Sequence, residues 1–460
     1  MNMLCFRRSN PGVCYMGNED KFYVTTRDDF NLGPIAEKII ALLEQDIKAS
    51  PLLIEGGWGS GKTEFCKHII NLSQNKIGAK IRPVYINAFH ADNAGPPILT
   101  LLAAILELLS KEEDREKIRK AALPILRLDT TTLGKTAVSW VSEQYTASPK
   151  QNGKKEIQLV SDAMADHMIE SMLKDHEQVR ISILALQKLL AAAARKKTIV
   201  LFVDELDRCL PHFTMLMLKT IQHLFDVPGI KFVFIANAQQ LLASTTHCYG
   251  TEIDAQRYLD KFIRYRFQLP TATNHNKQGP QLHAQSHFLA TVKSSALLKN
   301  SIIVKGALQE FIFHLIEVNQ HALREVERFV VYLEVYQSLS AGKFNTNDSH
   351  DVGVVLLAIL AVYCVCFLPE KANATLSGDA VLPLIEQALK KDYLSKHMGY
   401  HNPVDIVLAL FYLSDNCTGK FSSGNTVSEW KSRVAEWFSV DYPTHKPLFQ
   451  DAIRLMSMHG

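Results

Sequence analysis

Residues 54–65 read IEGGWGSGKTEF and place four glycines within six positions, followed by a lysine and a threonine. Glycine destabilises the interior of a strand or helix, so this density predicts a backbone shaped for something other than packing. The segment fits the pattern G-x-x-x-x-G-K-[ST] over residues 56–63, between an apolar strand pattern and a helical pattern. The spacing therefore predicts a loop that binds phosphate groups.

Each residue type in this loop has a chemical reason. Glycines let successive backbone N–H groups curl around phosphate oxygens, and the N-terminus of the following helix adds a favourable dipole. We expect Lys62 to reach the β- and γ-phosphates and Thr63 to ligate Mg²⁺. A glycine turn that only resembles the motif is the alternative. The predicted nucleotide-binding residues are Gly56, Gly57, Trp58, Gly59, Ser60, Gly61, Lys62, Thr63 and Glu64.

A second chemical signal is TIVLFVDELDR, at residues 198–208. The apolar run Ile199 to Val203 predicts a buried strand that ends at Asp204. We expect Asp204 to hold Mg²⁺ through its water shell, and Glu205 to orient the attacking water in a phosphoryl transfer. An acidic surface loop after a strand is the alternative, which the presence of the phosphate-loop motif elsewhere in the chain disfavours.

Asn237 ends the strand that KFVFIANA at residues 231–238 predicts beside the one that ends at Asp204. Its side chain could contact both the γ-phosphate and the water, and would join Glu205 and Lys62 as a catalytic residue. An asparagine that only forms a turn is an equally weighted alternative.

Four arginines are candidates for contacts with a nucleotide bound in the same or a neighbouring subunit. Arginine stabilises the charge of a phosphoryl-transfer transition state, but an exposed arginine on a helix face is commoner. Arg324 stands near the start of a predicted helix, where it could act as a contact from a lid. The other three candidates are Arg257, Arg264 and Arg266.

Strand and helix patterns alternate along the first part of the chain, which predicts a parallel sheet covered by helices on both faces. We therefore expect an α/β fold with a domain at 1–270, including a helical insertion at about 98–197. A polar linker follows residue 270, and helical periods then predict an all-helical domain at 271–460.

Composition excludes several classes of protein. Hydrophobic residues make up 47% and the net charge is +3, so the chain is globular and nucleic acid is a possible but not an indicated partner. The eight cysteines lack disulfide or CxxC spacing, and residues 1–17 lack an apolar signal-peptide core, which predicts a cytoplasmic protein. The uncharged stretch 352–368 is either a core helix or, less in keeping with its length and flanks, a membrane span.

These motifs together resemble the KAP family of P-loop NTPases. The resemblance is carried by GGWGSGKTEF at 56–65, YINAFHADNAGPP at 85–97 and VLFVDELDRCLP at 200–211. It is strengthened by FVFIANAQQL, YLDKFIRYRFQLP and ALREVERFV, and it extends over most of residues 20–335. The resemblance implies a P-loop ATPase with an additional strand, a catalytic glutamate and a long insertion between its two nucleotide motifs.

ATP, in preference to GTP, and Mg²⁺ are the cofactors that this resemblance implies. Relatives often have two aspartates where this chain has Asp204 and Glu205, so the catalytic role is carried over to Glu205. NAFHAD differs from the family in the residue after Asn-Ala, where tryptophan is more usual. Many relatives carry membrane helices in the insertion, which is too polar for them here. Members often occur in phage-exclusion settings, so antiviral defence is the implied context.

Three functions remain open at this stage. The leading expectation is a Mg²⁺-dependent ATPase that acts as a conformational switch or motor subunit, as a homo-oligomer or with an effector protein. A nucleotide-gated scaffold with little turnover is the alternative, against which Glu205 argues. A small-molecule kinase would use the same loop but would not need Asp204 beside Glu205.

Overall fold

The computed structural model describes nine stretches of the chain. The middle of the predicted helical insertion lies outside them. The described stretches are 30–45, 47–126, 177–275, 279–345, 352–378, 380–394, 402–415, 427–438 and 445–458.

These residues form two compact units. The first contains Leu32–Gly56 and Lys62–Leu269, and the second contains Asp29–Asn31, Gly57–Gly61 and Pro270–Gly460. The glycine loop thus groups with the second unit, although the residues on both sides of it belong to the first. The functional domains at 1–270 and 271–460 stay a prediction.

A five-stranded parallel sheet forms the centre of the first unit. Its strands are β1 (Leu52–Glu55), β2 (Ile81–Asn87), β3 (Thr198–Asp204), β4 (Ile230–Ala236) and β5 (Tyr265–Gln268). Their order across the sheet is β2-β3-β4-β1-β5. The strand β4 therefore lies between β1, which leads into the glycine loop, and β3, which carries the acidic residues. This is the additional strand that the family resemblance implied.

Helices cover both faces of this sheet, as predicted. Leu53, Leu201 and Phe234 belong to one apolar core with several of the helices, while their strand neighbours Leu52 and Phe202 are also fully buried. The described helices are α1 (Gly33–Glu44), α2 (Lys62–Asn75), α3 (Ala88–Asp92), α4 (Pro97–Leu108), α5 (112–126), α6 (177–194), α7 (Pro211–Leu224), α8 (Ala238–Tyr249) and α9 (Ala255–Leu259).

The register of the sheet brings polar residues together at one edge. Parallel strands end at the same edge, which is where ligands bind in open α/β sheets. At this edge Asn87 pairs with Asp204, and Asp204 pairs with Ile235, two residues before Asn237. The sheet therefore brings the ends of β2, β3 and β4 close to one another.

Where the structure describes the second unit, its regular elements are helices apart from one short β-ribbon. A polar linker was expected here, but β6 (Ala272–His275) pairs antiparallel with β7 (Gly279–Leu282). Pairing between two backbones needs no apolar alternation, so the sequence carried no strand signal. The helices are α10 (His283–Ser294), α11 (Gly306–Val318), α12 (Leu323–Leu339), α13 (Val352–Phe367), α14 (Pro369–Leu376), α15 (Val381–Leu389), α16 (Pro403–Ser414), α17 (Val427–Trp437) and α18 (His445–Met456).

The uncharged stretch at 352–368 forms α13, which is buried in the core of the second unit. A Cβ built on Gly353 would clash with the carbonyl oxygen of Trp437, so only glycine permits this close packing. Among the described helices, none has both the length and the apolar character needed to cross a membrane.

Candidate functional site

The glycine loop has the backbone that its sequence predicted. Gly59 and Gly61 have φ values of +73° and +85°, in the left-handed region that side chains disfavour. Gly59 also approaches the start of α12, because a Cβ built on it would lie 3.0 Å from the Cβ of Arg324. The backbone N–H of Leu323 donates to the carbonyl oxygen of Gly59 at 2.9 Å. The loop therefore depends on glycine both for its conformation and for this contact.

Two polar groups of the motif are buried. The Nζ of Lys62 donates to the carbonyl oxygen of Gly56 at 2.9 Å, and Lys62 is only 9% exposed. The Oγ of Ser60 is buried, and no described residue forms a hydrogen bond with it. Buried polar atoms normally have partners, so the unsatisfied hydroxyl fits a loop that receives a polar ligand.

Asp204 ends β3 and is almost completely buried, with three hydrogen-bond donors around its carboxylate. The hydroxyl of Tyr85 donates to its Oδ2 at 3.0 Å, and the backbone N–H of Glu205 donates to its Oδ1 at 2.8 Å. The side chain of Thr63 also forms a hydrogen bond with it. Burial raises the pKa of Asp204 because it disfavours the charged form, and the three hydrogen bonds oppose that shift.

Glu205 has a strained backbone and a side chain that two partners hold. Its φ of +60° lies in the left-handed region, which costs a non-glycine residue roughly 1–2 kcal/mol. Asn87 donates to its Oε2 at 3.1 Å, and the guanidinium of Arg208 lies 2.9 Å from its Oε1. Strain of this kind concentrates at functional sites. Both carboxylate oxygens of Glu205 are therefore engaged.

Thr63 and Asp204 provide the ligand types that Mg²⁺ prefers. Their hydrogen bond brings a hydroxyl next to a carboxylate, and Mg²⁺ in nucleotide sites usually takes one or two such oxygens together with phosphate oxygens and waters. The described residues contain no group of three or more His, Cys, Asp and Glu side chains that could hold a metal alone. These residues thus fit Mg²⁺ that arrives with a phosphate ligand.

Asn237 lies at the predicted edge but also has a local task. It is the N-cap of α8, and its Oδ1 accepts a hydrogen bond from the backbone N–H of Gln239 at 3.0 Å. The turn-forming alternative is therefore realised, and a catalytic contact through the amide nitrogen stays a prediction.

Two other predicted nucleotide contacts lie on the surface. Trp58 is 54% exposed, and the exposed Glu64 accepts a hydrogen bond from Lys67 at 2.9 Å. Their contact with a nucleotide stays a prediction.

Four candidate arginines fall into two groups. Arg257, Arg264 and Arg266 each form an ion pair with a nearby aspartate, at 3.2, 3.3 and 2.7 Å respectively. Only Arg257 is on a helix, since Arg264 precedes β5 and Arg266 lies within it. The side chain of Arg324 is exposed at the start of α12 and forms no ion pair or hydrogen bond with the described residues. Arg324 differs from the other three in a second way, because it lies next to the glycine loop. A Cβ added at Gly59 would lie 3.0 Å from the Cβ of Arg324.

Sequence reasoning gave no role to the residues that hold the two carboxylates. Tyr85 and Asn87 belong to a segment that carried the family resemblance, and Arg208 follows the acidic pair. The sequence signal for these residues is that polar side chains stand at the ends of the strands. Which of them contact the carboxylates is known only once the sheet register pairs Asn87 with Asp204.

Comparison with known proteins gives one family. The KAP family P-loop domain matches residues 33–340, which is about two thirds of the chain. This match covers the glycine loop, the acidic end of β3 and the start of α12. A comparison with curated proteins finds no match.

Proposed function

Because the chain belongs to the KAP family of P-loop NTPases, we propose that it binds ATP with Mg²⁺ and hydrolyses it. Family membership indicates nucleotide binding, and hydrolysis is the further step. The observation that carries this step is the Asp204–Glu205 pair. Asp204 is hydrogen-bonded to Thr63 of the phosphate motif, and Glu205 is strained and held by two side chains beside it.

The phosphate motif would bind the nucleotide. The backbone N–H groups of the glycine loop and the N-terminus of α2 favour negative charge, and Lys62 adds a cation. The buried hydroxyl of Ser60 would find its hydrogen-bond partner among the phosphate oxygens. Thr63 and Asp204 would hold Mg²⁺, which supplies charge neutralisation at the phosphates when bound.

Glu205 would act on the water. Its carboxylate accepts a hydrogen bond from a water that is aligned with the γ-phosphorus. The water oxygen bonds to phosphorus, the bond from phosphorus to the β–γ bridging oxygen breaks, and ADP leaves with that electron pair. The proton of the water leaves through Glu205. Asn237 and Arg324 are proposed to add contacts to the γ-phosphate.

The biological output would be a conformational switch. Gly59 accepts a hydrogen bond from Leu323, so a loop that rearranges around phosphates would act on the first turn of α12. We propose that ATP turnover changes the packing of the helical residues against an effector or a second copy of the chain. A cytoplasmic role in antiviral defence is proposed from the family resemblance.

One observation favours the alternative, a nucleotide-gated scaffold with little turnover. Both carboxylate oxygens of Glu205 already have partners in Asn87 and Arg208. If these partners stay in place when ATP binds, the carboxylate is not available to the water. The chain would then bind ATP and signal through α12 without efficient hydrolysis.

Phosphate release from the purified full-length chain tests the proposal. With Mg-ATP and no added acceptor, we expect turnover that EDTA abolishes and that Lys62→Ala lacks. Tight ATP binding without phosphate release would favour the scaffold. Phosphate transfer that needs an added acceptor would favour a kinase, and the absence of nucleotide binding would overturn the proposal.

A further inference from the structure

Two apolar side chains of the second unit stand beside the last glycine of the loop. A Cβ built on Gly61 would lie 3.2 Å from Leu323 Cδ1 and 4.0 Å from Phe30 Cε2. The ring of Phe30 stacks on the imidazole of His283, with 4.6 Å between centroids and 21° between planes. We call Phe30, His283 and Leu323 together the Phe30 wall.

The Phe30 wall is held in place from several directions. His283 is 5% exposed, and its backbone N–H donates to the carbonyl oxygen of Thr271 at 3.0 Å. Leu323 is tied to the loop because its own N–H donates to Gly59. Phe30 is only half-buried, so part of its ring remains accessible. The wall is therefore an ordered aromatic surface at the edge of a phosphate-binding segment.

The chemistry of this surface does not suit phosphate. Phe30 and Leu323 offer no donor to an anion, and the imidazole of His283 is buried with its face stacked on Phe30. The flat apolar face of a nucleobase, in contrast, packs well on an aromatic ring. Gly61 directly precedes Lys62, so only the α-phosphate and the ribose separate a base from phosphates that this segment binds. The base of a nucleotide bound at this segment would therefore be close enough to contact the Phe30 wall.

We propose that the Phe30 wall binds the base of the nucleotide by stacking and apolar contact. The inference rests on the proposed function, since it takes the nucleotide bound at the loop as its ligand. Because every base has a π-face, the stacking contact should favour any nucleotide over a ligand that has no base. It does not distinguish adenine from guanine, which differ in their hydrogen-bonding edges.

Binding of tripolyphosphate beside nucleotides tests this inference, because tripolyphosphate carries the phosphates without a base. Calorimetric titration of the full-length chain would compare Phe30→Ala, Phe30→Trp and Tyr393→Ala with the wild type. Tyr393 is 62% exposed in the same unit and provides the aromatic control. The probes are a β,γ-imido analogue of ATP, the same analogue of GTP, and tripolyphosphate, each with Mg²⁺. Thermal unfolding checks that each variant folds.

We expect Phe30→Ala to weaken both nucleotide analogues about tenfold and equally, with tripolyphosphate binding unchanged. Phe30→Trp should bind like the wild type, and so should Tyr393→Ala. Equal weakening of nucleotides and tripolyphosphate would overturn the inference, because Phe30 would then only support the loop. Unchanged nucleotide affinity would also overturn it, with the proposed function intact. A wild type that binds no probe would overturn both.

Discussion

The geometry of the glycine loop and that of the acidic end of β3 are constrained in opposite ways. The loop depends on the absence of a side chain, since a Cβ at Gly59 would contact the start of α12 too closely. The acidic end depends on hydrogen bonds from neighbouring side chains, since Tyr85 donates to Asp204 and Asn87 donates to Glu205. From this contrast we infer that the loop binds the nucleotide and that the acidic end orients the attacking water. Changes in the first should act on affinity, and changes in the second should act on turnover.

The largest expected effect on affinity is at the loop. Lys62→Ala removes a buried cation whose Nζ lies at the loop, so we expect ATP affinity to fall at least about thirtyfold. Titration with a non-hydrolysable ATP analogue measures it. Lys76→Ala is the control, because Lys76 follows the same helix, is half exposed and pairs with the partly buried Glu44. Equal affinities for Lys62→Ala and the wild type would contradict the assignment of binding to the loop.

Comparing alanine substitutions at two glycines of nearly equal φ measures the energetic cost of disturbing the contact between the loop and α12. Gly59 has φ +73° and Gly78 has φ +75°, but a Cβ on Gly78 would meet nothing within 4 Å. Alanine at either site should cost roughly 1–2 kcal/mol of unfolding free energy from backbone strain. Gly59→Ala should lose about 1–3 kcal/mol more, because Ala322 and Arg324 must move. Denaturant unfolding measures both losses of unfolding free energy. Equal losses would show that the start of α12 shifts to accommodate the added methyl group at no measurable cost.

At the acidic end, the partners of Glu205 should affect turnover and not affinity. We expect Asn87→Ala and Arg208→Gln to lower kcat by about tenfold to about a hundredfold, because the carboxylate loses its orientation. KM should change by less than about twofold. Arg208→Lys, which keeps the charge, should restore part of kcat. An increase in kcat would instead mean that these partners restrain Glu205, as in the scaffold alternative.

The smallest expected effect is a pH dependence of stability next to α12. Burial lowers the pKa of His321, whose Nε2 lies 2.7 Å from the hydroxyl of Tyr363. The unfolded chain therefore takes up a proton near pH 6.5 that the folded chain does not, so the unfolding free energy falls as pH drops below that value. Comparing unfolding at pH 7.5 and 5.5 should show a smaller fall in His321→Gln.

Tyr363→Phe is the matched control for the histidine. It removes the hydroxyl that His321 contacts but leaves the titrating group, so the fall in unfolding free energy between the two pH values should persist. If His321→Gln and the wild type lose the same stability on acidification, burial of this histidine does not contribute to the pH dependence.

Much of the fold was predictable because its signals are local. The apolar run 199–203 predicts the buried strand β3 from composition alone, and the glycine spacing predicts the loop. The alternation of strands and helices predicts the parallel sheet, and family resemblance adds the position of β4. Each of these inferences needs only a short window of sequence or a known motif.

The contacts that complete the site depend on register and were not predictable. Asn87 reaches Glu205 because β2 pairs with β3 in one register, and a shift of one residue would turn its side chain to the other face. Phe30 and Gly61 are 31 positions apart, and no local pattern brings them together. The ribbon of β6 and β7 was also missed, because its strands lack an apolar pattern.

The central claim is tested most directly by Glu205→Gln, which keeps the size of the side chain and removes its charge. ATP affinity and phosphate release would be measured on the same preparation of the full-length variant. We predict that affinity stays within about threefold of the wild type while turnover falls at least about a hundredfold. Turnover that persists with Gln at position 205, while Lys62→Ala abolishes binding, would contradict the assignment of hydrolysis to the acidic end of β3.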